Sequence, residues 1–146
     1  MTPAFRQYRH PQDYTRVEEF LIQHYQTGNR DGNWLQPAWE YGYFHPLMDT
    51  SSLGRNAIWE KDGEIVAVVH FEWHLGEAFF QFNPAHRSMR AEMLDYAEAH
   101  LYGISEKDGR RYLAAYVNDD DEEFISLVIT RGYAKLDEYT RPLYNL

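Results

Sequence analysis

Residues 57–82 constrain the fold more than any other part of the chain. Ala57 to Lys61 and Glu64 to Trp73 are runs rich in β-branched and aromatic residues. Between them stands Asp62-Gly63, a dipeptide suited to the two-residue type I′ turn of a hairpin. After a break at Gly76, Glu77 to Phe82 forms a third such run, ended by Asn83-Pro84. Strands joined by connections this short must lie antiparallel, because a parallel return needs a long crossover. The chain is therefore expected to build an antiparallel sheet first and to pack its other elements on it.

Those other elements are helical on both sides of the hairpins. Phe5 to Arg9 reads as a first strand. A helix follows, with Pro11 stopping the strand and Asp13 as the expected N-cap. Tyr14, Val17, Leu21 and His24, with Phe20 beside them, mark one apolar face. Gly28, Asn29 and Gly32 break that helix. Gln36 to His45 reads as a second helix, opened by Pro37 and closed by His45-Pro46, and Asp49 to Arg55 as a loop. Met89 to Tyr102 carries Met93, Tyr96, Ala97, His100 and Leu101 on one face, with Gly103 as C-cap. Arg111 to Val117 is a strand. Asp119 to Glu123 then opens a helix whose acidic start suits the positive end of its dipole. Gly132 closes it, and Ala134 to Tyr139 and Pro142 to Tyr144 read as two last strands. The order β-α-α-β-β-β-α-β-α-β-β predicts a single α/β (α+β) domain over residues 1–146. Its sheet would be mixed and mostly antiparallel, of about seven strands, with helices on both faces.

Composition removes several function classes. The chain has 146 residues and no cysteine. Disulfide frameworks, Cys-based zinc or iron–sulfur sites and cysteine nucleophiles are thereby excluded, and a reducing compartment is suited. With 14 basic and 23 acidic residues the net charge is −9, which disfavours nucleic acid and favours cationic ligands such as amines. The N-terminus shows no basic-then-apolar signal pattern, and apolar runs such as Ile65 to Val69 are too short to span a bilayer. The cytoplasm is the expected location, with no membrane partner. A homodimer is compatible with the chain.

The order of elements resembles the Gcn5-related N-acetyltransferase (GNAT) superfamily over nearly the whole length. The hairpin Ile58 to Ala67 is similar to the family's second and third strands. Phe80-Gln81-Phe82-Asn83-Pro84-Ala85-His86-Arg87 resembles the end of its fourth strand and the entry to its cofactor turn. Met93 to Glu98 resembles the following helix, and Arg131-Gly132-Tyr133 the end of the last helix. The resemblance implies acetyl-CoA as cosubstrate, held in a wedge where the fourth and fifth strands splay apart. It assigns the pantetheine arm and thioester oxygen to backbone amides of Phe80 and Phe82. It assigns the diphosphate to the turn Arg87, Ser88, Met89 and Arg90, at the N-terminus of a helix with unpaired N–H donors. The pattern departs in two places. The family's turn glycines are replaced, by Arg90 and Glu92 in one register and by Ser88 and Arg90 in another. Val128 stands where the family often has a tyrosine acid. An active enzyme binding through arginines and a catalytically degenerate ligand-binding or interaction domain both remain open.

Acetyl transfer to a primary amine needs a base for the ammonium proton. Glu77, at the start of the third run, is the first candidate, with Glu72 as the second. His70, Glu72 and His74 fall at alternate positions and would share one strand face. Same-face neighbours sit about 7 Å apart, too wide for two ligands of one ion, so a polar acceptor wall is the better reading than a metal. Asn33, Trp34, Trp39, Tyr41, Tyr43 and Phe44 form an aromatic-rich segment suited to a cationic acceptor. Trp34, Trp39, His70 and His74 are the expected acceptor-binding residues.

Overall fold

The computed structural model describes residues 2–26 and 33–135. In chain order it contains β1 (Ala4–Gln7), α1 (Gln12–Gln23), α2 (Gln36–Phe44), β2 (Ala57–Lys61), β3 (Glu64–His70) and β4 (Glu77–Phe82). Then come α3 (Arg90–His100), β5 (Gly103–Ile104), β6 (Arg111–Tyr112), β7 (Ala114–Tyr116) and α4 (Glu122–Thr130). Among the described residues the main sheet has five strands in the order β1-β2-β3-β4-β7, and β5 and β6 form a separate two-stranded ribbon. All neighbours in the main sheet are antiparallel except β4 and β7, which are parallel. The mixed, mostly antiparallel sheet is as expected, with five strands rather than about seven. The two terminal strands read from the sequence lie wholly or largely outside the described residues, as do Gly28, Asn29 and Gly32.

The hairpin forms as its turn chemistry dictates. Asp62 and Gly63 both take positive φ, 54° and 79°, the type I′ signature. Ile58, Val68 and Ala78 are among the sheet residues fully shielded from solvent. One face carries α1 and α2, whose Val17, Phe20, Leu21 and Trp39 are buried. The other carries α3 and α4, where Tyr96 meets Phe5 and Trp59, and Phe124 meets Phe80. Burying Trp59, Phe80, Tyr96 and Phe124 contributes roughly 2–3 kcal/mol each, while Phe5 stays exposed.

Several boundaries differ from the sequence reading. Pro11, not Asp13, is the residue preceding α1. Asp13 lies inside the first turn and is buried in an ion pair with Arg6. Thr50–Arg55 is a 3-10 helix rather than loop, capped by the Asp49 side chain accepting from Ser51 N–H. The helix expected from Met89 is preceded by a 3-10 turn, Pro84–Met89, and ends at His100. His100 is exposed and stacks on Tyr96. Gly103 does not cap α3. It lies in β5, where an added Cβ would stand 2.6 Å from the Tyr112 ring. The strand expected over Arg111 to Val117 divides into β6 and β7, with Leu113 between them.

Candidate functional site

β4 is paired over its last four residues on one side and over its first three on the other. Toward β3, partners run from His70–Phe79 to Ala67–Phe82. Toward β7 they are Glu77–Ala114, Ala78–Ala115 and Phe79–Tyr116, and there the pairing stops. Asn83 N–H donates to Val66 O at 2.8 Å. By alternation the Phe80 and Phe82 peptide groups therefore point away from β3, toward β7. Phe82 lies beyond the last β7 partner, on the splayed edge.

A side chain meets that edge. Asn33 Oδ1 accepts from Phe82 N–H at 2.9 Å, and Asn33 Nδ2 donates to Phe82 O at 2.8 Å. Asn33 is 3% exposed. A primary carboxamide carries the donor and acceptor of a peptide unit, so this one residue does for Phe82 what a neighbouring strand would do. The sequence places Asn33 at the head of an aromatic segment and carries no signal for this role, which depends on a partner 49 positions away.

The start of α3 sits at the same end. Asn83 Oδ1 accepts from Ala85 N–H at 3.0 Å, and His86 N–H donates to Asn83 O at 2.8 Å. Arg90 N–H donates to Arg87 O. The 3-10 turn thus satisfies amides that a bare helix N-terminus would leave open. Arg87 and Ser88 are exposed on its outer side, and Met89 is buried beneath. Arg90 is only 5% exposed. Its guanidinium donates to Arg87 O at 2.9 Å and to the carboxylates of Asp121 and Glu123 at the start of α4. It also lies 5.8 Å from the ring centres of Phe82 and Phe124. Arg90 therefore ties the beginnings of α3 and α4 together. Glu92 is turned the other way, its carboxylate accepting from Trp59 Nε1 at 3.0 Å.

The opposite face of β4 is lined by Trp34, His70, Phe79 and Tyr116. Phe79 stacks on Tyr116 with ring centres 4.4 Å apart and on His70 at 5.6 Å. His70 Nδ1 lies 2.9 Å from Phe71 O, and its Nε2 lies 3.1 Å from Gln81 Nε2. An amide nitrogen only donates, so His70 Nε2 accepts and Nδ1 holds the proton. Gln81 Oε1 in turn accepts from Trp34 N–H at 2.7 Å. Trp39 donates from Nε1 to Tyr14 O at 3.2 Å and meets His70 edge-on. Trp34, Trp39 and His70 are all buried, whereas Tyr41 and Phe44 of the same aromatic segment are exposed.

β3 ends at His70, so Glu72 and His74 do not share a strand face with it. They lie in the turn leading to β4. The His74 side chain is 57% exposed, and its Nε2 lies 3.6 Å from Glu77 Oε1. His74 Nδ1 donates to Leu75 O at 2.8 Å, which leaves Nε2 facing the carboxyl. Glu77 Oε2 is buried without a hydrogen-bond partner. Burial pushes the Glu77 carboxyl above its ordinary value; His74 opposes this and the nearby Glu72 charge adds to it. Among the described residues, no group of three His, Asp or Glu side chains is arranged to hold a metal ion. No described helix is long and apolar enough to cross a membrane.

An antiparallel hairpin sheet, a parallel strand pair that opens after three residues and a helix that starts at the opening together define a GNAT-like fold. The chain is similar to the crystal structure of the GNAT domain of S. lividans PAT, with a TM-score of 0.57 over 94% of this chain and 85% of that one. Sequence identity across that match is 16%, so the likeness is one of fold. No family model and no curated protein matches the sequence.

Proposed function

We propose that this chain is an acetyl-CoA-dependent N-acetyltransferase acting on a primary amine of a small molecule or peptide. The observation that carries the reading is the β4–β7 pair. It stops at Phe79–Tyr116, and the half-buried Glu77 lies two residues back on the same sheet face. The residues at the opening suit a ligand with an amide-bearing arm and an anionic head. The Phe82 donor and acceptor on the strand edge are held by the exchangeable carboxamide of Asn33, Arg87 stands exposed on the turn, and Glu92 is withdrawn to Trp59. Acetyl-CoA bound there supplies the activated acyl group. Phe80, Phe82, Arg87, Ser88 and Met89 would hold it, with Arg90 bracing the turn from within.

Glu77 takes the proton from the acceptor ammonium. Its raised pKa makes the carboxylate a stronger base than an exposed one. His74, between Glu77 and solvent, gives the proton an exit. The net charge of −9 favours a cationic acceptor. The reading carries a cytoplasmic location with it, which the lack of cysteine suits. The test is calorimetry with acetyl-CoA, followed by a thiol-release assay against a panel of amines. A protein without cysteine contributes no thiol background. Binding and amine-dependent CoA release are expected; no binding at millimolar acetyl-CoA sinks the reading.

One set of observations favours a second reading, a catalytically degenerate GNAT-like domain that binds a ligand or partner. Arg90 is committed to Asp121 and Glu123, and Val128 carries no acidic proton. Acetyl-CoA binding without thiol release for any amine would decide for it.

A further inference from the structure

We infer that Asn33 is an internal competitor for the ligand edge of β4: its carboxamide holds the place at Phe82 that a secondary-amide ligand takes only by displacing it. The chemistry is that of the edge itself. β7 leaves β4 after Phe79, and a backbone N–H and C=O buried beyond that point must find partners. Asn33 supplies both from one planar amide, at 2.9 and 2.8 Å. Any ligand that pairs with this edge must present the same donor–acceptor pair, which a chain containing secondary amides does. The two cannot occupy Phe82 together.

The hold is built to be exchanged. Asn33 belongs to no helix or strand; it stands three residues before α2. Its release breaks no element. The next residue stays anchored, because Trp34 N–H donates to Gln81 Oε1 at 2.7 Å. Asn33 can therefore leave β4 by local rotation while Trp34 remains in the core. A released carboxamide is resatisfied by water, and the arriving ligand restores both bonds at Phe82. The net difference is small, as a competitor requires. Ligands without an amide at the matching point would displace Asn33 and leave Phe82 unpaired, so Asn33 also selects for amide-bearing arms.

The identity of the ligand as acetyl-CoA rests on the acetyltransferase reading; the competition itself does not. The test separates them by using two probes, acetyl-CoA and the neutral diamide N-acetyl-β-alanine N-methylamide. Amide NMR follows the Asn33 side-chain NH₂ and the Phe82 N–H in the wild type. Saturating either probe is expected to move the Asn33 NH₂ signals to solvent-exposed values while Phe82 N–H stays protected. Asn33→Ala and Asn33→Asp, the latter setting a carboxylate against Phe82 O, are each expected to bind the probe about tenfold more tightly, the equivalent of one net hydrogen bond. Probe binding with Asn33 NH₂ undisturbed, or no gain in either folded variant, overturns the inference. If acetyl-CoA binds that way, the acetyltransferase reading survives without it. Diamide displacing Asn33 while acetyl-CoA fails to bind keeps the competitor and removes the acetyl-CoA assignment. Failure of both probes on wild type and variants removes both. Should the variants not fold, the wild-type signals alone decide.

Discussion

Glu77 is under two demands of opposite sign. As the proposed base it must ionise; as a half-buried group with one oxygen unpartnered it resists ionising. A carboxyl whose folded pKa is raised binds its proton more tightly in the folded state than in the unfolded one. Its contribution to folding is fully present below the ordinary carboxylate pKa and is lost as pH rises through the raised value. At neutral pH the ionised Glu77 therefore works against stability. Glu77→Gln should raise the melting temperature at pH 7 by about 2–4 °C, the size expected for ~1 kcal/mol in a chain of this length. At pH 3, where Glu77 is protonated in both states, the gain should vanish. Acetyl transfer should fall about 100-fold. Thermal unfolding at the two pH values checks the first part. An equal gain at both would mean that packing, not charge, set the difference.

At the scale of elements, one ion cluster joins β1, α1 and β2. Arg6 donates to both Asp13 oxygens at 2.6 Å and to Glu60 at 2.7 Å, and Arg16 reaches Glu60 at 2.6 Å. Burial raises the Asp13 carboxyl, but the Arg6 hydrogen bonds, the Arg9 N–H and the charges of Arg6 and Arg16 outweigh it and leave it lowered. Glu60 is lowered in the same way, by Arg16 and Arg6 against burial. Lowered carboxyls stabilise the fold above their ordinary pKa, and that contribution is lost as pH falls through the depressed values. Arg6→Ala leaves Asp13, 2% exposed, with the Arg9 N–H and Arg16 at 3.5 Å, and should cost about 3 kcal/mol in denaturant unfolding at pH 7. Its acid-side loss of stability should be shallower than the wild type's; an unchanged acid limb would exclude Asp13 as its source. This cluster also shows where the sequence stops being legible. β2 and β4 are readable to the residue because their β-branched and aromatic runs and their Asp-Gly and Asn-Pro ends are local signals. Asp13 reads as a helix cap because its partner Arg6 is set by the fold rather than by spacing. β3 reads too long because Phe71 and Trp73 look like strand residues. What ends it is the turn into Gly76, whose φ of 105° and O accepting from Ala114 N–H become visible only in three dimensions.

For the whole molecule, the order of the main-sheet strands and their helices was readable from the hairpins and one crossover; the splay came only from the family resemblance, and the β5–β6 ribbon was not foreseen. What surrounds Phe82 was not readable, because Asn33 reaches its backbone and Arg90, held by Asp121, its ring from separate parts of the chain. The net charge of −9 adds a property that belongs to no single element. A field of that sign attracts a cationic amine and repels a polyanionic thioester, and salt screens both effects over a Debye length of about 10 Å at 0.1 M. The two substrates of the proposed reaction should therefore respond to salt in opposite directions. Raising ionic strength about tenfold should increase KM for a polycationic acceptor several-fold. Over the same range the Kd for acetyl-CoA should fall or hold level, because Arg87 offsets the net field only locally. Steady-state kinetics for the acceptor and calorimetry for acetyl-CoA, each at several salt concentrations, measure the two slopes. If acetyl-CoA binding instead weakens steeply with salt, local cations dominate its site and the overall charge does not govern it. If the acceptor slope is flat, the amine is recognised by shape and hydrogen bonds, and the acidic surface plays no part in its capture.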